Sequence, residues 1–466
     1  MPDAEISSAV ANWGPRFTAQ GVDPGDFARV TGPLERWADW LDAWCVNGDL
    51  HSRLAREAEE AGRALTAGQA WVQAALSYHF AKFVWMLDQD KHRNAADRAV
   101  AAMTRAHRLL DPTAERVELD FDGVTMVGNL RRPLGAERSP LVVLIAGLDS
   151  TKEEFFAVEN VFLARGMATF SLDGPGQGET GYTATIRPDF EAPVAAALDV
   201  LCARPDLDGD RVGMLGVSLG GYYAARAAAF EPRIRAVVVS GGPYDFGALI
   251  RDRPAHSLAT FAHNSGTTNA EETYEFASRI TLEGVLDRLT QPMVVVFGKR
   301  DRLVPWQQAV RVADEAPHAD LWMFEEGNHV CMNLTYRCAR RLPTGWLSGW
   351  ARSPNRMAPA RPGLPVRLPN IVSAANEFLA LACGRKYAGV KVAPARTRAT
   401  RRARSNALKS QFHGVTRAPP RPAMLVLRVG LRSRSQPGRR RWPPVFRHNR
   451  SYTYEKTNTR QQPTPG

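Results

Sequence analysis

The N-terminal part of the chain carries apolar side chains at helical spacing. Between residues 26 and 110 they recur every three or four positions, and the pattern ends at Asp111 and Pro112. This period is typical of amphipathic helices, because it places the apolar side chains along one face. The pattern predicts a helical domain over residues 26–112. Residues 1–25 are expected to form a flexible N-terminus.

Beyond residue 112 the period becomes strand-like. Apolar and acidic positions alternate over residues 117–121, and Asp122-Gly123 is a two-residue hairpin signal. Short apolar runs then alternate with helical stretches, at residues 141–146, 167–172, 212–217, 234–239, 293–297 and 321–324. Such runs are typical of buried parallel strands covered by helices on both faces. Residues 113–342 are therefore predicted to form an α/β domain with a mostly parallel sheet, and residues 244–290 to add helices over the end of the sheet.

The net charge of +12 comes from the C-terminal part of the chain. Residues 343–466 hold 25 Lys and Arg, 2 Asp and Glu, and 15 of the 32 prolines, whereas residues 1–342 hold 35 basic and 46 acidic side chains. A basic, proline-rich segment without sustained periodicity is expected to be disordered. Our hypothesis is that a shifted reading frame produced this tail. The alternative is a tail that binds nucleic acid or an anionic membrane surface nonspecifically.

The cysteines and the hydropathy of the sequence indicate in which cellular compartment the protein works. The five cysteines have no CxxC spacing, and their odd number argues against a closed disulfide framework. No signal-peptide pattern opens the sequence, and no run approaches the roughly 20 apolar residues of a membrane span. We expect a soluble, cytoplasmic protein. The sequence leaves its oligomeric state open, a homodimer included.

The motif Gly-Val-Ser-Leu-Gly over residues 216–220 lies between a predicted strand and an alanine-rich helix. A turn this sharp exposes its serine, and small glycines on either side keep neighbouring atoms away. Ser218 is therefore predicted to be a nucleophile. The alternative is a packing turn, since the motif by itself is common.

A serine nucleophile needs a base to take its proton and an acid to orient that base. Asp301 and His329 each follow a predicted strand, in the chain order typical of this kind of site. The alternatives are a solvated turn residue and a loop histidine. The developing oxyanion needs donors, and we expect the backbone N–H groups of Leu219 and Leu148 to supply them.

Several further residues have two interpretations. Asp149, beside the expected oxyanion site, is either an auxiliary acid or a residue that favours the N-terminus of a helix opened by a capping box over residues 150–153. Tyr78, His79 and Tyr222 either line a substrate pocket or belong to the core. The sequence has no cluster with metal-ligand spacing, and the proposed chemistry needs no cofactor.

Three segments together resemble one α/β-hydrolase subfamily: residues 147–154, 173–178 and 327–331. The subfamily is esterase-like or FrsA-like and contains dihydroxypseudooxynicotine hydrolase and fungal polyketide-shortening hydrolases. The resemblance covers about residues 25–337, and residues 78–83 resemble the cap domain of the family. It implies the α/β-hydrolase fold, with Ser218, Asp301 and His329 as the catalytic residues. Asp149 stands where a carbon–carbon cleaving relative has a glutamate.

The resemblance implies cleavage of a carboxylic ester, or of a carbon–carbon bond next to a ketone, in a small-molecule substrate. Attack by Ser218 would give an acyl-enzyme that water then hydrolyses. Two other functions stay open at this stage. One is a ligand-binding protein that keeps the fold with little turnover, and the other is association with nucleic acid or a membrane through the basic tail.

Overall fold

The computed structural model describes residues 2–338 of the chain. These residues belong to the first of two compact units into which the chain divides, Met1–Pro362. The basic tail over residues 343–466, with its interpretations as a frameshift product or a binding segment, lies outside the described residues. Of the helices in the described part, none is long and apolar enough to cross a membrane.

Eight strands of the described region form one sheet in the order β1-β2-β4-β3-β5-β6-β7-β8. They are β1 Glu115–Phe121, β2 Val124–Arg131, β3 Ser139–Ile145, β4 Ala168–Asp173, β5 Leu207–Val217, β6 Ile234–Ser240, β7 Met293–Gly298 and β8 Ala319–Phe324. Strands β3 to β8 pair in parallel, and β1 and β2 add an antiparallel edge. The predicted mostly parallel sheet is confirmed, and each predicted apolar run overlaps one of the strands β3 to β8.

Strand β3 shows why the central strands are apolar throughout. Leu141, Val143 and Ile145 belong to the core on one face of the sheet, and Val142 and Leu144 belong to the core on the other. Successive side chains of a strand point to opposite faces, so a strand covered on both sides needs an apolar residue at every position. Helices therefore cover both faces of the sheet, as the pattern predicted.

The hairpin signal is also confirmed. Phe121 of β1 pairs with Val124 of β2, and Asp122 and Gly123 between them both have positive φ, 50° and 78°. A tight hairpin turn of this kind requires positive φ at both central residues, which aspartate tolerates and glycine favours.

Five helices precede the sheet in the described region: α1 Ala4–Ala19, α2 Pro24–Thr31, α3 Trp40–Glu60, α4 Ala64–Ala81 and α5 Gln89–Leu110. Helices α2 to α5 occupy the stretch for which helices were predicted. Their apolar faces form a separate core, in which Trp40, Trp44 and Phe80 are fully buried.

Helix α1 corrects the expectation of a flexible N-terminus over residues 1–25. Trp13 and Phe17 of this helix are buried in the N-terminal core, and Phe17 stacks on Phe80 of α4 with 3.8 Å between ring centroids. Gly14-Pro15 in the middle of the segment argues against a helix, because proline lacks the backbone donor and glycine weakens helices. Burial of the aromatic side chains outweighs these local preferences.

The remaining helices surround the sheet: α6 Phe156–Leu163, α7 Glu191–Cys202, α8 Leu219–Phe230, α9 Gly247–Ile250, α10 Ala255–Ser265, α11 Ala270–Ser278, α12 Trp306–Glu315 and α13 Thr335–Cys338. Helices α9 to α11 lie in the long segment between β6 and β7, where additional helices were predicted. The carboxyl ends of the parallel strands carry the loops that contain Ser218, Asp301 and His329.

Candidate active site

Ser218 occupies the turn between β5 and α8. Its φ of 56° and ψ of −126° are unusual for a residue with a side chain. The turn is held by its backbone: the amide of Ser218 donates to the carbonyl of Ser240 at 2.8 Å, and the amide of Gly221 donates to the carbonyl of Ser218 at 2.7 Å. Strain of this kind persists only where the surroundings fix it, and it is concentrated at functional sites.

The two glycines of the motif are required by close backbone contacts. A Cβ at Gly216 would lie 1.9 Å from the carbonyl oxygen of Gly220, and a Cβ at Gly220 would lie 2.3 Å from the carbonyl oxygen of Ile145. Neither position has room for a side chain. The motif is thus accounted for by the geometry of the turn, and the strand and helix that were predicted around it are both present.

Three side chains from separate loops form a hydrogen-bonded chain. The Oγ of Ser218 lies 2.9 Å from Nε2 of His329, whose Nδ1 lies 2.7 Å from Oδ2 of Asp301. The other carboxylate oxygen of Asp301 accepts hydrogen bonds from the backbone amides of Leu303 and Val304, at 2.8 and 3.0 Å. The side chain of Asp301 is fully buried, and these hydrogen bonds fix the orientation of its carboxylate toward the imidazole.

The loop after His329 has two consecutive residues with positive φ, Val330 at 59° and Cys331 at 55°. From helix α1, the ring of Trp13 meets the His329 ring edge-on, with 6.0 Å between centroids. The imidazole is therefore positioned by its loop, by Asp301 and by an aromatic side chain of the N-terminal core.

The loop after β3 passes close to Ser218. A Cβ at Gly147 would lie 3.0 Å from both the Cβ of Ser218 and the carbonyl oxygen of Val217, so glycine permits this approach. Leu148 follows, and its carbonyl accepts a hydrogen bond from the Asn264 side chain of α10 at 2.9 Å. On the other side of Ser218, Leu219 opens α8, where the first amides of a helix have no intrahelical acceptor.

Asp149 forms an ion pair with a residue of α1. Its Oδ1 accepts from the Arg16 guanidinium at 3.0 Å. The interpretation of residues 150–153 as a capping box is wrong, because the short helix Lys152–Phe155 has no side-chain cap and the Ser150 hydroxyl donates instead to the Glu154 carboxylate. Asp149 thus links α1 to the loop beside Ser218.

Two cavities lie side by side at this end of the sheet. The Ser218 cavity is lined by Trp13, Arg16, Gln20, Asp149, Ser218 and His329, among others. The second, which we call the Lys82 cavity, is lined by Lys82, His92, Asp149, Tyr182, His263 and Asn264, among others. Asp149 and Ser150 line both, so the ion-paired carboxylate stands between the two spaces.

Comparison with known proteins identifies the family. The family model described as esterase FrsA-like matches residues 29–315. The chain belongs to the FrsA-like esterase family. Its α/β-hydrolase fold and the hydrolases among its relatives make this FrsA-like chain an enzyme of the hydrolase class, which argues against a ligand-binding protein without turnover.

One relative of the FrsA-like chain is matched over nearly the full length of the relative. The 2,6-dihydropseudooxynicotine hydrolase of Paenarthrobacter nicotinovorans is 33% identical over 359 residues, which are 76% of this chain and 96% of the relative. A crystal structure of 2,6-dihydroxy-pseudo-oxynicotine hydrolase, 31% identical, superposes with a TM-score of 0.67 and covers 76% of this chain and 100% of its own. The 20-hydroxy-prefusarin hydrolase FUS2 of Gibberella moniliformis is 32% identical over 50% of this chain, and the match spans 59% of that relative.

The three residues predicted to line a substrate pocket of the FrsA-like chain lie outside the linings of the two described cavities. Tyr78 is buried between helices, with its hydroxyl 2.9 Å from both the Ser52 hydroxyl and the Asp49 carboxylate. His79 is fully buried with its Nε2 3.0 Å from Glu154, and the Tyr222 hydroxyl donates to a backbone carbonyl at 2.8 Å. Neither described cavity has any of the three in its lining. The interpretation as core residues fits all three.

Helix α1 supplies the residues that the sequence interpretation missed. Arg16 donates to both carboxylate oxygens of Glu154 at 2.6 Å, in addition to its bond with Asp149. Burial opposes the guanidinium charge, yet Asp149 and Glu154 raise the pKa of Arg16 above its ordinary value. Burial likewise opposes the Glu154 charge, but Arg16 and a hydrogen bond from His79 lower the pKa of Glu154. The only signal in the sequence was the resemblance of residues 147–154 to the family.

Three carboxylates, Glu153, Asp173 and Glu179, lie close enough together to hold a metal ion. The ammonium group of Lys152 stands among them, 2.7, 2.8 and 2.5 Å from the respective oxygens. Burial opposes the ammonium charge, but these carboxylates raise the pKa of Lys152. Lys152 already supplies positive charge there, and through Asp173 it ties the turn over residues 173–178 to its own short helix.

Proposed function

We propose that this chain is a serine hydrolase that cleaves a carbonyl substrate through an acyl-enzyme. The observation that carries the proposal is the hydrogen-bonded chain from Ser218 Oγ to His329 to Asp301, with distances of 2.9 and 2.7 Å. A serine hydroxyl becomes a nucleophile when a base is within hydrogen-bond reach and an acid holds that base. No cofactor is required for this chemistry.

In the proposed reaction, Ser218 Oγ attacks the substrate carbonyl carbon and its proton passes to Nε2 of His329. The carbonyl oxygen becomes an oxyanion, which the amides of Leu219 and Leu148 stabilise. The intermediate collapses, the bond to the leaving group breaks, and His329 returns the proton to that group. Water then attacks the acyl-enzyme with His329 again as base, and the acid product leaves Ser218.

The substrate class that fits best is a carboxylic ester, because His329 alone can protonate an alkoxide leaving group. A carbon–carbon bond next to a ketone is the second candidate. It is favoured by Asp149, a carboxyl group that lines the same cavity as Ser218 and His329 and that could serve the carbon leaving group. The ion pair with Arg16 supports a second role for Asp149 with either substrate. In this role the pair holds the two charges at fixed positions beside Ser218.

A panel of aryl esters, acyl amides and aryl β-diketones tests the proposal. Ser218→Ala should lower kcat on the order of 10⁶-fold, as loss of a nucleophile does in comparable sites. Ser278→Ala is the matched control, since that hydroxyl is exposed and donates to a helical carbonyl away from the site. Full ester turnover by Ser218→Ala would refute the proposed nucleophile.

The same panel separates the two substrate classes. If Asp149→Asn abolishes β-diketone cleavage and spares ester cleavage, Asp149 serves a carbon leaving group. If the substitution lowers both rates equally, Asp149 acts by holding Arg16 and the loop, and the ester remains the better assignment.

A further inference from the structure

Two buried lysines near the site differ in what surrounds their ammonium groups. Lys152 contacts three carboxylates. Lys82, directly after α4, is also more than nine-tenths buried as a residue, yet its Nζ makes no hydrogen bond or ion pair among residues 2–338. An ammonium group without a protein acceptor keeps its N–H donors available to an oxygen atom of a ligand.

The carboxylates whose charges act on Lys82 already have other partners. Lys152 binds Glu153 and Asp173, and Arg16 binds Glu154 and Asp149. Lys82 is therefore not needed to balance the negative charge of these four carboxylates. Burial lowers the pKa of Lys82, although the surrounding carboxylates oppose that change. An additional anionic oxygen within hydrogen-bond distance would favour the charged ammonium.

Lys82 lines the cavity next to Ser218, in which the other polar side chains are largely engaged. The Nδ1 of His92 and the hydroxyl of Tyr182 lie 2.8 Å apart, and the Asn264 amide donates to the Leu148 carbonyl. Burial lowers the pKa of His92 to about 2, so its imidazole is neutral at physiological pH. Lys82 is thus the cationic group of this cavity that has no protein acceptor in the described region.

We propose that Lys82 determines substrate specificity by binding an anionic oxygen, of a carboxylate or an ionised phenol, on the part of the substrate remote from the reacting carbonyl. The inference rests on the proposed function, since it places the carbonyl at Ser218. The remote arm then extends past Asp149 and Ser150, which line both cavities. Lys82 binds this arm and takes no part in bond cleavage.

Paired substrates test the role of Lys82. One series consists of aryl acetates that carry a carboxylate on the ring, directly or through one or more methylenes, each paired with its carboxamide. A second series pairs hydroxyphenyl with methoxyphenyl acetates. It is assayed at pH values below and above the pKa of the phenol. Preference of the wild type for the charged member in the first series identifies a carboxylate, and in the second a phenolate.

In the preferred series, Lys82→Met should lower the charged-to-neutral ratio of kcat/KM about tenfold to a hundredfold, as expected for a lost hydrogen bond to a charged group. The loss should appear mainly in KM, because the contact is remote from the reacting atoms. Lys82→Arg should keep part of the preference. Lys299→Met, which removes a half-exposed lysine paired with Glu325, should keep all of it.

An unchanged ratio in folded Lys82→Met, or no charge preference in the wild type, would overturn the inference. If Lys82→Met does not fold, competitive inhibition of the wild type by the carboxylate, carboxamide, hydroxyl and methoxy products decides: stronger inhibition by the charged products supports the inference, and equal inhibition overturns it. Failure of the proposed function is distinguishable, because it appears as turnover of neutral esters by Ser218→Ala, whatever happens at Lys82.

Discussion

The loops at the carboxyl end of the sheet and the N-terminal helices hold their polar groups in different ways. Around Ser218 the backbone does the positioning, through a turn with positive φ and through two amides that fix Asp301. In the N-terminal helices the polar groups are positioned by other side chains. Arg16, for example, binds Glu154 and Asp149, which lie 138 and 133 residues further along the sequence. The first arrangement leaves a local motif in the sequence, and the second leaves none.

The largest expected effect is at the loops at the carboxyl end of the sheet, where a substitution should abolish activity without unfolding the protein. Asp301→Asn keeps the shape of the side chain and an oxygen for the amides of Leu303 and Val304, but it no longer holds the imidazole of His329 in the required tautomer. We expect kcat to fall on the order of 10⁴-fold, as in a comparable site. Steady-state kinetics with an aryl ester measures the loss.

Asp314→Asn, at an exposed position of α12, is the control for this substitution and should leave kcat unchanged. Thermal unfolding of both variants should follow that of the wild type closely. A cooperative Asp301→Asn protein with wild-type kcat would remove Asp301 from the proposed mechanism.

The N-terminal helices should behave in the opposite way. Arg16→Met leaves the buried Glu154 carboxylate without its cation, and breaking a buried pair costs about 3–5 kcal/mol. Denaturant unfolding should show this loss in the free energy of unfolding. Arg36→Met, which removes an exposed pair with Asp39, should cause no measurable change.

A double variant sharpens this prediction. Arg16→Met combined with Glu154→Gln should lose less stability than the sum of the two single losses, because both remove the same interaction. Strict additivity would show that the ion pair does not couple α1 to the loop beside Ser218.

The smallest expected effect is in the dependence of stability on pH. Arg16 and His79 lower the pKa of Glu154 below its ordinary value of 4.5 despite burial. A carboxyl group with a lowered pKa stabilises the fold fully above its unfolded value, and this contribution is lost as the pH falls through the folded value. The free energy of unfolding should therefore fall below about pH 4.5 less steeply in Glu154→Gln than in the wild type. Equal slopes in the two proteins would contradict the assignment.

Much of the fold and the hydrogen-bonded chain could be predicted from the sequence, for a physical reason. Parallel strands buried on both faces must be apolar at every position, as β3 is, and the turn at Ser218 has no room for side chains at Gly216 and Gly220. These constraints are local, so they appear as runs and motifs. Asp301 and His329 follow from the chemistry that a serine nucleophile requires and from their places after strands.

The contribution of the N-terminal helices to the site could not be predicted in the same way. Tyr78 and His79 have the apolar spacing and polar tips of pocket residues, yet hydrogen bonds to Ser52 and Glu154 engage them within the protein. Helix α1 was missed because Gly14-Pro15 dominates its local signal, whereas its stability comes from packing against residues far along the chain. Long-range ion pairs carry no periodicity, so Arg16 had no signal of its own.

The central claim is that Ser218 forms the acyl-enzyme. Intact-mass and peptide analysis after reaction with a serine-directed fluorophosphonate tests it most directly. We predict a single adduct on the peptide that contains Ser218, absent in Ser218→Ala and formed far more slowly in His329→Ala. No adduct on the active wild-type enzyme, or an adduct at another residue that persists in Ser218→Ala, would contradict the claim.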